Sequence, residues 1–313
     1  MPDVVITEFM EEAAVADLSR EFSVVYDPDL VNRPDDIKLL AADSPALIVR
    51  NMTQVRGEVL AACKNLKIVG RLGVGLDNID MDACRVRHIQ VFPATGANAQ
   101  AVAEYVIAAT FIGLRNIWGV TDKMAAGWFD RTTLIFREMH GKMLGLVGFG
   151  MIAREVARRA RALGMRVAAY DPNVLPGDPA WTSLGVAHLD LMPLLADSDV
   201  VSLHVPLLAS TKNLIGPSAL AQMKPDAILI NTARGGIIDE TALVTALKEK
   251  KLGGAILDVL EKEPPAANSI FRGVPNLILT PHVAGNTVES NVRVSGMIAT
   301  AVKRALHALP KAT

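Results

Sequence analysis

Short runs of β-branched and aliphatic residues recur along the chain, and between them apolar positions return every three to four residues. In the first hundred residues the runs are VVITE, SVVYD, ALIVRN, LKIVGRLG and IQVFPAT, with Glu11–Arg20 and Gln54–Ala62 among the helical stretches between them. Such alternation predicts a parallel sheet wound with helices. Asn98–Ala126 breaks the rhythm: about 29 residues without proline, apolar on more than one face, ending near Gly127. A helix of that kind needs burial on two sides. It is expected to cross from one domain to the next and, as a hypothesis, to meet a second subunit. From Met143 the alternation resumes through MLGLVGF, RVAAYD, VVSLHV, AILINTA, GAILDV and NLILTP, a six-strand βα series that ends near His282. A last helix, from about Val288 to Leu306, is expected to pack back on the first domain.

Length supports this division, because 313 residues exceed what a single core usually serves. Half the residues are hydrophobic while only 4% are aromatic, so the interior should be aliphatic, as in parallel sheets covered by helices. A net charge of −1 offers no general field for nucleic acid or an anionic membrane, which leaves a small molecule as the expected partner. Cys63 and Cys84 form no C-x-x-C and meet no paired histidines, which argues against structural zinc and a disulfide framework and for a reducing, cytoplasmic setting. Met1–Glu8 lacks the features of a signal peptide. Ala101–Leu114 is interrupted by Glu104 and is shorter than the roughly 18 residues of a membrane span.

The stretch LGLVGFGMIARE carries the first chemistry. Gly148-Phe149-Gly150-Met151-Ile152 matches five letters of the dinucleotide fingerprint G-x-G-x-x-G, with Ala153 in the sixth place. A glycine turn alone is weak evidence, but here a strand precedes it, a helix from Met151 to Leu163 follows, and the next strand ends in Asp171. Asp171 lies 23 positions after Gly148, close to the ~20 expected of the carboxylate that takes the adenosine ribose. The third glycine serves helix packing, so alanine there is tolerable. Asp171 would repel a 2′-phosphate and Pro172-Asn173 offer no cation for one, so NAD is favoured over NADP. A second glycine turn, GRLGVGLDNID, has no carboxylate about 20 residues on. It reads either as an anion nest of backbone N–H groups or as a plain tight turn.

Ligands of open α/β sheets bind beyond the carboxyl ends of the strands. That rule nominates Arg234 after AILINTA, Glu261 and Glu263 after GAILDV, His282 after NLILTP, and His204 near the end of VVSLHV. Each alone is as readily a cap or a surface residue. Together they form a usable set, since arginine grips a carboxylate through two parallel hydrogen bonds, histidine exchanges protons near neutrality, and a carboxylate beside it fixes its tautomer.

The motifs GRLGVGLDNID, NAQAVAEYVI, GKMLGLVGFGMIA, LHVPL, INTARGGIIDETAL, GAILDVLEKEPP and TPHVAG, in that order, resemble the D-isomer-specific 2-hydroxyacid dehydrogenases. The resemblance is nearest to the phosphoglycerate dehydrogenase branch, in a short form without a regulatory C-terminal domain. It implies two Rossmann-like or flavodoxin-like doubly wound parallel-sheet domains with an active-site cleft between them: a discontinuous substrate-binding domain, 1–98 plus 287–313, and an NAD-binding domain, 99–286. It also implies Arg234, Glu263 and His282 as the catalytic set, with His282 the acid/base. On the cofactor it places Gly148, Gly150, Met151, Ile152, Asp171, His204, Val205, Pro206, Thr211, Thr232, Ala233, Arg234, Asp258, His282 and Gly285, with Asp258 at the nicotinamide carboxamide. On the substrate it places Arg50, Asn51, Thr53, Leu72, Gly73, Val74, Gly75, Asn98, Arg234 and His282. The chain departs from the family pattern at Met151, where a polar or basic residue is common and Arg154 is a possible substitute, at Asn51, where serine is common, and at Phe136, where glycine is usual.

The expected reaction is NAD-dependent hydride transfer between the nicotinamide and a small 2-hydroxy acid or 2-keto acid. His282 accepts the hydroxyl proton in oxidation, and Arg234 stabilises the developing alkoxide. Arg50 and Arg71 read either as holders of a second acidic group on the substrate, of the 3-phosphoglycerate, sulfolactate or glycerate/hydroxypyruvate type, or as surface or structural arginines. A homodimer through the Asn98–Ala126 region is expected. Two alternatives stay open: a non-catalytic NAD(H)-sensing protein on the same fold, and a phosphite- or formate-type dehydrogenase.

Overall fold

The computed structural model describes residues 1–115 and 120–310. The chain forms two compact units, one of residues 1–98 with 286–313 and one of residues 99–285.

In the first unit, β1 (Val4–Ile6), β2 (Val24–Tyr26), β3 (Ala46–Val49), β4 (Ile68–Arg71) and β5 (Gln90–Pro93) form one sheet in the order β2-β1-β3-β4-β5, all neighbours parallel. These are the five apolar runs of the sequence. The inner strands β1 and β3 are buried along their whole length, as aliphatic runs covered on both faces must be. The last helix, Val288–His307, buries Val294, Ile298, Val302 and Leu306, and these join Ile48, Ile68 and Leu72 in one cluster. Its first turn thereby comes to the same end of the sheet as the loop after β3.

The second unit begins with helix Ala99–Arg115, followed by a short helix at Thr121–Ala125; residues 116–119, within the predicted long helix, lie outside the described residues. Its sheet comprises β6 (Met143–Val147), β7 (Arg166–Tyr170), β8 (Ala187–His188), β9 (Val200–Leu203), β10 (Ile228–Asn231), β11 (Gly254–Leu257) and β12 (Leu277–Leu279). The order is β12-β11-β10-β9-β6-β7-β8, again all parallel. Six of these strands are the predicted series. The seventh, β8, is two exposed residues long and carries no apolar run to betray it. Strand order reverses between β6 and β9, and a ligand of a doubly wound sheet is expected outside that switch point. The fingerprint turn follows β6 and His204 follows β9, so both stand there.

Candidate active site

At the switch point the glycine turn is fitted by contact as well as by conformation. Gly148 has φ +94°, and a Cβ on it would lie 2.7 Å from the His204 carbonyl oxygen, so only glycine lets the loops after β6 and β9 approach. Around Gly150 the space is open, and helix Met151–Ala162 starts at the next residue. Ala153 is fully buried in the packing under that helix. Between the glycines, Phe149 is held on every side. Its N–H donates to Asp171 Oδ2 at 2.8 Å, its carbonyl accepts from Arg154 Nε at 2.9 Å, and its buried ring stacks on Trp181 with centroids 4.3 Å apart. Arg154 is therefore engaged with the turn itself, its guanidinium 5.1 Å from the Phe149 ring centre. Met151 is 54% exposed at the first helical position, where the backbone N–H groups favour an anion.

Beyond β9, His204 Nε2 lies 3.0 Å from Ser202 Oγ, and burial pushes its pKa down to about 4, so the imidazole is neutral near neutral pH. Val205 Cγ1 stands 3.0 Å from where a Gly148 Cβ would be, and Pro206 opens the exposed loop that follows. Thr211, expected on the cofactor, has its hydroxyl turned to its own loop: it donates to the Pro206 carbonyl at 2.6 Å and accepts from Leu208 N–H at 2.7 Å.

The loop after β10 is shaped by Asn231, whose side chain accepts from Ala233 N–H at 3.0 Å and donates to the Arg234 carbonyl at 2.8 Å. Arg234 Nη1 turns back to the Ala233 carbonyl at 2.6 Å. A Cβ on Gly235 would fall 2.0 Å from the Leu260 carbonyl carbon, so glycine is what allows the Arg234 loop to close against the loop after β11. In that second loop Glu263 Oε1 accepts from Leu260 N–H at 2.9 Å, and Oε2 lies 2.9 Å from His282 Nδ1. The carboxylate thus fixes a ring whose Nε2 is left for chemistry. His282 has φ +56°, a left-handed conformation that costs a non-glycine residue of order 1–3 kcal/mol and is held only by its surroundings. Those surroundings are Asp258, 1% exposed. The Asp258 carbonyl accepts His282 N–H at 2.9 Å, Oδ1 accepts Val283 N–H at 2.8 Å, and Oδ2 accepts Ala284 N–H at 2.8 Å. Asp258, which the resemblance puts at the nicotinamide, thus also braces the histidine loop, which ends at Gly285.

In the first unit the loop after β3 carries Arg50, Asn51 and Thr53. Its brace is Glu8, a buried carboxylate no sequence motif flagged: Oε1 accepts from Arg50 N–H at 2.8 Å and Thr53 N–H at 3.0 Å, and Oε2 accepts from Met52 N–H at 3.0 Å. Asn78 Nδ2 donates to the carbonyls of Arg50 and Thr53 at 3.1 and 2.7 Å. Thr53, expected on the substrate, is buried with its hydroxyl 2.8 Å from that of Thr7. Asn51 is exposed. Arg50 Nη2 donates to Asn291 Oδ1 at 2.9 Å and Asn286 Oδ1 at 3.3 Å, both neutral amides, while burial lowers the guanidinium's pKa. After β4, Leu72 is buried and Gly73 N–H donates to the Arg71 carbonyl at 2.7 Å, ahead of the amides of Val74 and Gly75 in the same turn. Asn98 Oδ1 is buried with no hydrogen-bond partner among the described residues.

Residues 107–284, more than half the chain, match the family model described as the NAD-binding domain of D-isomer-specific 2-hydroxyacid dehydrogenases. The chain is also 53% identical, over 98% of its length and 99% of the relative's, to an (S)-sulfolactate dehydrogenase of Chromohalobacter salexigens. It belongs to the D-isomer-specific 2-hydroxyacid dehydrogenase family. As such it is an NAD-dependent oxidoreductase acting on a 2-hydroxy acid. A D-3-phosphoglycerate dehydrogenase of Archaeoglobus fulgidus is 41% identical over 85% of this chain, which spans 50% of that relative's length. A D-lactate dehydrogenase of Aquifex aeolicus, solved with NAD and lactic acid, superposes with a TM-score of 0.85 at 27% identity, covering 97% of this chain and 95% of that one.

The second unit of this dehydrogenase fits the dinucleotide on its own observations. Thr232 Oγ1 is buried without a hydrogen-bond partner among the described residues, beside a loop already ordered by Asn231. The turn at Gly148–Gly150 leaves open space over a helix N-terminus, and Asp171 stands at the end of β7. No group of His, Cys, Asp or Glu among the described residues is placed to hold a metal, and no helix among them is long and apolar enough to cross a membrane.

Proposed function

We propose that the chain interconverts a three-carbon 2-hydroxy acid carrying a second anionic group with its 2-keto acid, the sulfolactate/sulfopyruvate pair being the substrate. The observation that carries this reading is Arg50: a half-buried guanidinium whose hydrogen bonds, among the described residues, go to the amide oxygens of Asn286 and Asn291. A partly desolvated cation whose direct partners are neutral amides, with the Glu8 and Glu11 carboxylates acting on it only through space, favours an anionic ligand. The sulfolactate dehydrogenase relative, similar over nearly its whole length, supports a sulfonate as that anion.

A dinucleotide held by the second unit would supply the hydride acceptor for oxidation at Cα. Neutral His282 takes the hydroxyl proton as the carbonyl forms, and Glu263 on Nδ1 keeps the ring in the tautomer that can do so. In reduction, protonated His282 returns the proton. To Arg234 we assign the carboxylate and the oxygen that carries developing charge, and to the amides of Val74 and Gly75 a share of the carboxylate. To Gly150, Met151, Ile152, His204, Val205, Pro206, Thr232 and Ala233 we assign the cofactor.

We also propose a homodimer through the Asn98–Ala126 region and the segment after it. Phe129 and Ile135 are 73% and 84% exposed, and Ile112, Ile135 and Phe136 line a depression of about 480 Å³ with Leu277 and Ile278 of the edge strand β12. Apolar exposure of that kind marks an interface. Mass in solution by light scattering, with Ile135→Glu as the disrupting variant, tests it. The setting we propose is cytoplasmic; both cysteines are free and buried, and burial pushes Cys63 up to about 11.

The deciding experiment is NADH oxidation, followed at 340 nm, with glyoxylate, hydroxypyruvate, phosphohydroxypyruvate, sulfopyruvate and oxaloacetate. Sulfopyruvate is expected to give the highest kcat/KM. His282→Ala is expected to lower kcat by roughly 10²–10⁴ with NADH affinity retained. Turnover of none of the five despite NADH binding overturns the catalytic reading in favour of an NAD(H)-sensing protein.

A further inference from the structure

Tyr105 lies on helix Ala99–Arg115, outside the catalytic, cofactor and substrate sets assigned above, yet it joins the histidine loop through a short chain of hydrogen bonds. Its hydroxyl is 2.5 Å from Thr280 Oγ1, and Thr280 Oγ1 is 2.6 Å from Asp258 Oδ1. The carboxylate fixes both directions. An ionised carboxylate only accepts, so Thr280 gives its single proton to Asp258 and must accept the phenol's. Burial pushes the Tyr105 pKa up, which keeps the phenol a donor across neutral pH. Asp258 in turn holds the N–H groups of His282, Val283 and Ala284 through its carbonyl and two carboxylate oxygens. His282 is the one residue of that loop with positive φ, so its ring direction depends on where Asp258 stands.

We propose that Tyr105 is a positioning residue for the acid/base histidine, acting through Thr280 and Asp258. The proposal rests on His282 as the proton-transfer group. Without the phenol, Thr280 loses the donor that orients its oxygen, and Asp258 Oδ1 is held by one fewer ordered partner. The effect belongs to kcat, because neither Tyr105 nor Thr280 is assigned to substrate or cofactor.

A double-mutant cycle with Tyr105→Phe and Thr280→Val tests this, read as kcat and KM for the best keto acid, NADH Kd by fluorescence, and Tm. Tyr105→Phe is expected to lower kcat about 3–10-fold, with KM and NADH Kd within about 2-fold of the parent. Thr280→Val, which removes a donor to a charged group, is expected to lower kcat about 10–100-fold, and Thr280→Ser to restore most of it. In the Thr280→Val background the phenol has lost its acceptor, so adding Tyr105→Phe is expected to be neutral or partly restoring. Losses that multiply, a Tyr105→Phe enzyme with full kcat, or a fall in Tm and NADH affinity with kcat per folded site unchanged would each overturn the proposal. His282→Ala separates this failure from that of the underlying reading. An active His282→Ala enzyme removes the acid/base assignment itself, whereas an inactive one with a multiplicative cycle removes only the role of Tyr105.

Discussion

Replacing Arg50 by glutamine removes a positive charge whose hydrogen bonds go to neutral amides, with Glu8 and Glu11 acting on it only through space. In the folded chain the guanidinium sits 2.9 Å from Asn291 Oδ1 and 3.3 Å from Asn286 Oδ1, its centre 5.7 Å from the Phe9 ring centre, and its backbone is fixed at both ends by Glu8 and Asn78. The loop should therefore survive the change, and what is lost is the interaction with an incoming anion. A hydrogen bond to a charged partner contributes about 1.5–3 kcal/mol net, which corresponds to about 10–150-fold in kcat/KM. That loss is expected with sulfopyruvate and phosphohydroxypyruvate. Glyoxylate, which has no second anion, should change by less than about 3-fold, since the guanidinium has no partner on it. Arg50→Lys keeps the charge but not the planar fork and should fall between. The assay is initial-rate NADH oxidation at fixed ionic strength. An equal loss on glyoxylate and sulfopyruvate would show that Arg50 only builds the loop. No loss on either would refute the second-anion reading.

His204 has an ordinary pKa of 6.5 and a folded one of about 4, so the unfolded chain takes up a proton in that window that the folded chain refuses. Its contribution is complete above pH 6.5 and declines toward pH 4, by at most about 3 kcal/mol; urea unfolding of the cofactor-free protein at stepped pH measures it, and His204→Asn should flatten the slope. Gly235→Ala places a methyl against the Leu260 carbonyl and should destabilise by about 1–3 kcal/mol while cutting kcat/KM disproportionately, because the Arg234 and Glu263 loops must part; unchanged turnover would argue that their approach is incidental. Asp171→Asn exchanges an acceptor of Phe149 N–H for an amide and should weaken NADH about 10-fold while narrowing its advantage over NADPH, measured by fluorescence titration of both cofactors.

The sheets were legible because their strands are continuous aliphatic runs, as strands buried on two faces are. β8 escaped because two exposed residues at a sheet edge carry no pattern. Arg234, Glu263 and His282 were legible as polar residues just past strand ends, and the second unit does bring Glu263 and His282 into contact. What stayed hidden is tertiary. Glu8 stands 42 positions from Arg50, and only the β1–β3 pairing brings it to the loop it braces. The hydroxyls of Thr53 and Thr211 carry no sign of their partners in sequence, yet the first meets Thr7 beyond β1 and the second the Pro206 carbonyl of its own loop. The left-handed backbone of His282 leaves no trace in composition at all.

These hidden residues share one device. In a parallel sheet all the strands end on the same side, and the N–H groups just beyond each end have lost their ladder partners and need acceptors. Here the acceptor is repeatedly a carboxylate just past the end of the neighbouring strand. Glu8, beyond β1, takes the N–H groups of the Arg50 loop beyond β3. Asp171, beyond β7, takes Phe149 N–H of the glycine turn beyond β6. Asp258, beyond β11, takes the His282 loop beyond β12. An acidic residue at a strand end therefore has two readings that sequence does not separate, ligand contact and loop brace. In this chain the brace comes first: each carboxylate sets the backbone that aims a neighbouring functional group, and a charge-assisted bond holds that backbone more firmly than a neutral one would. Substituting any of the three should be read as moving its neighbour, with Arg50, the Gly148–Gly150 turn and His282 as the groups whose geometry reports the loss.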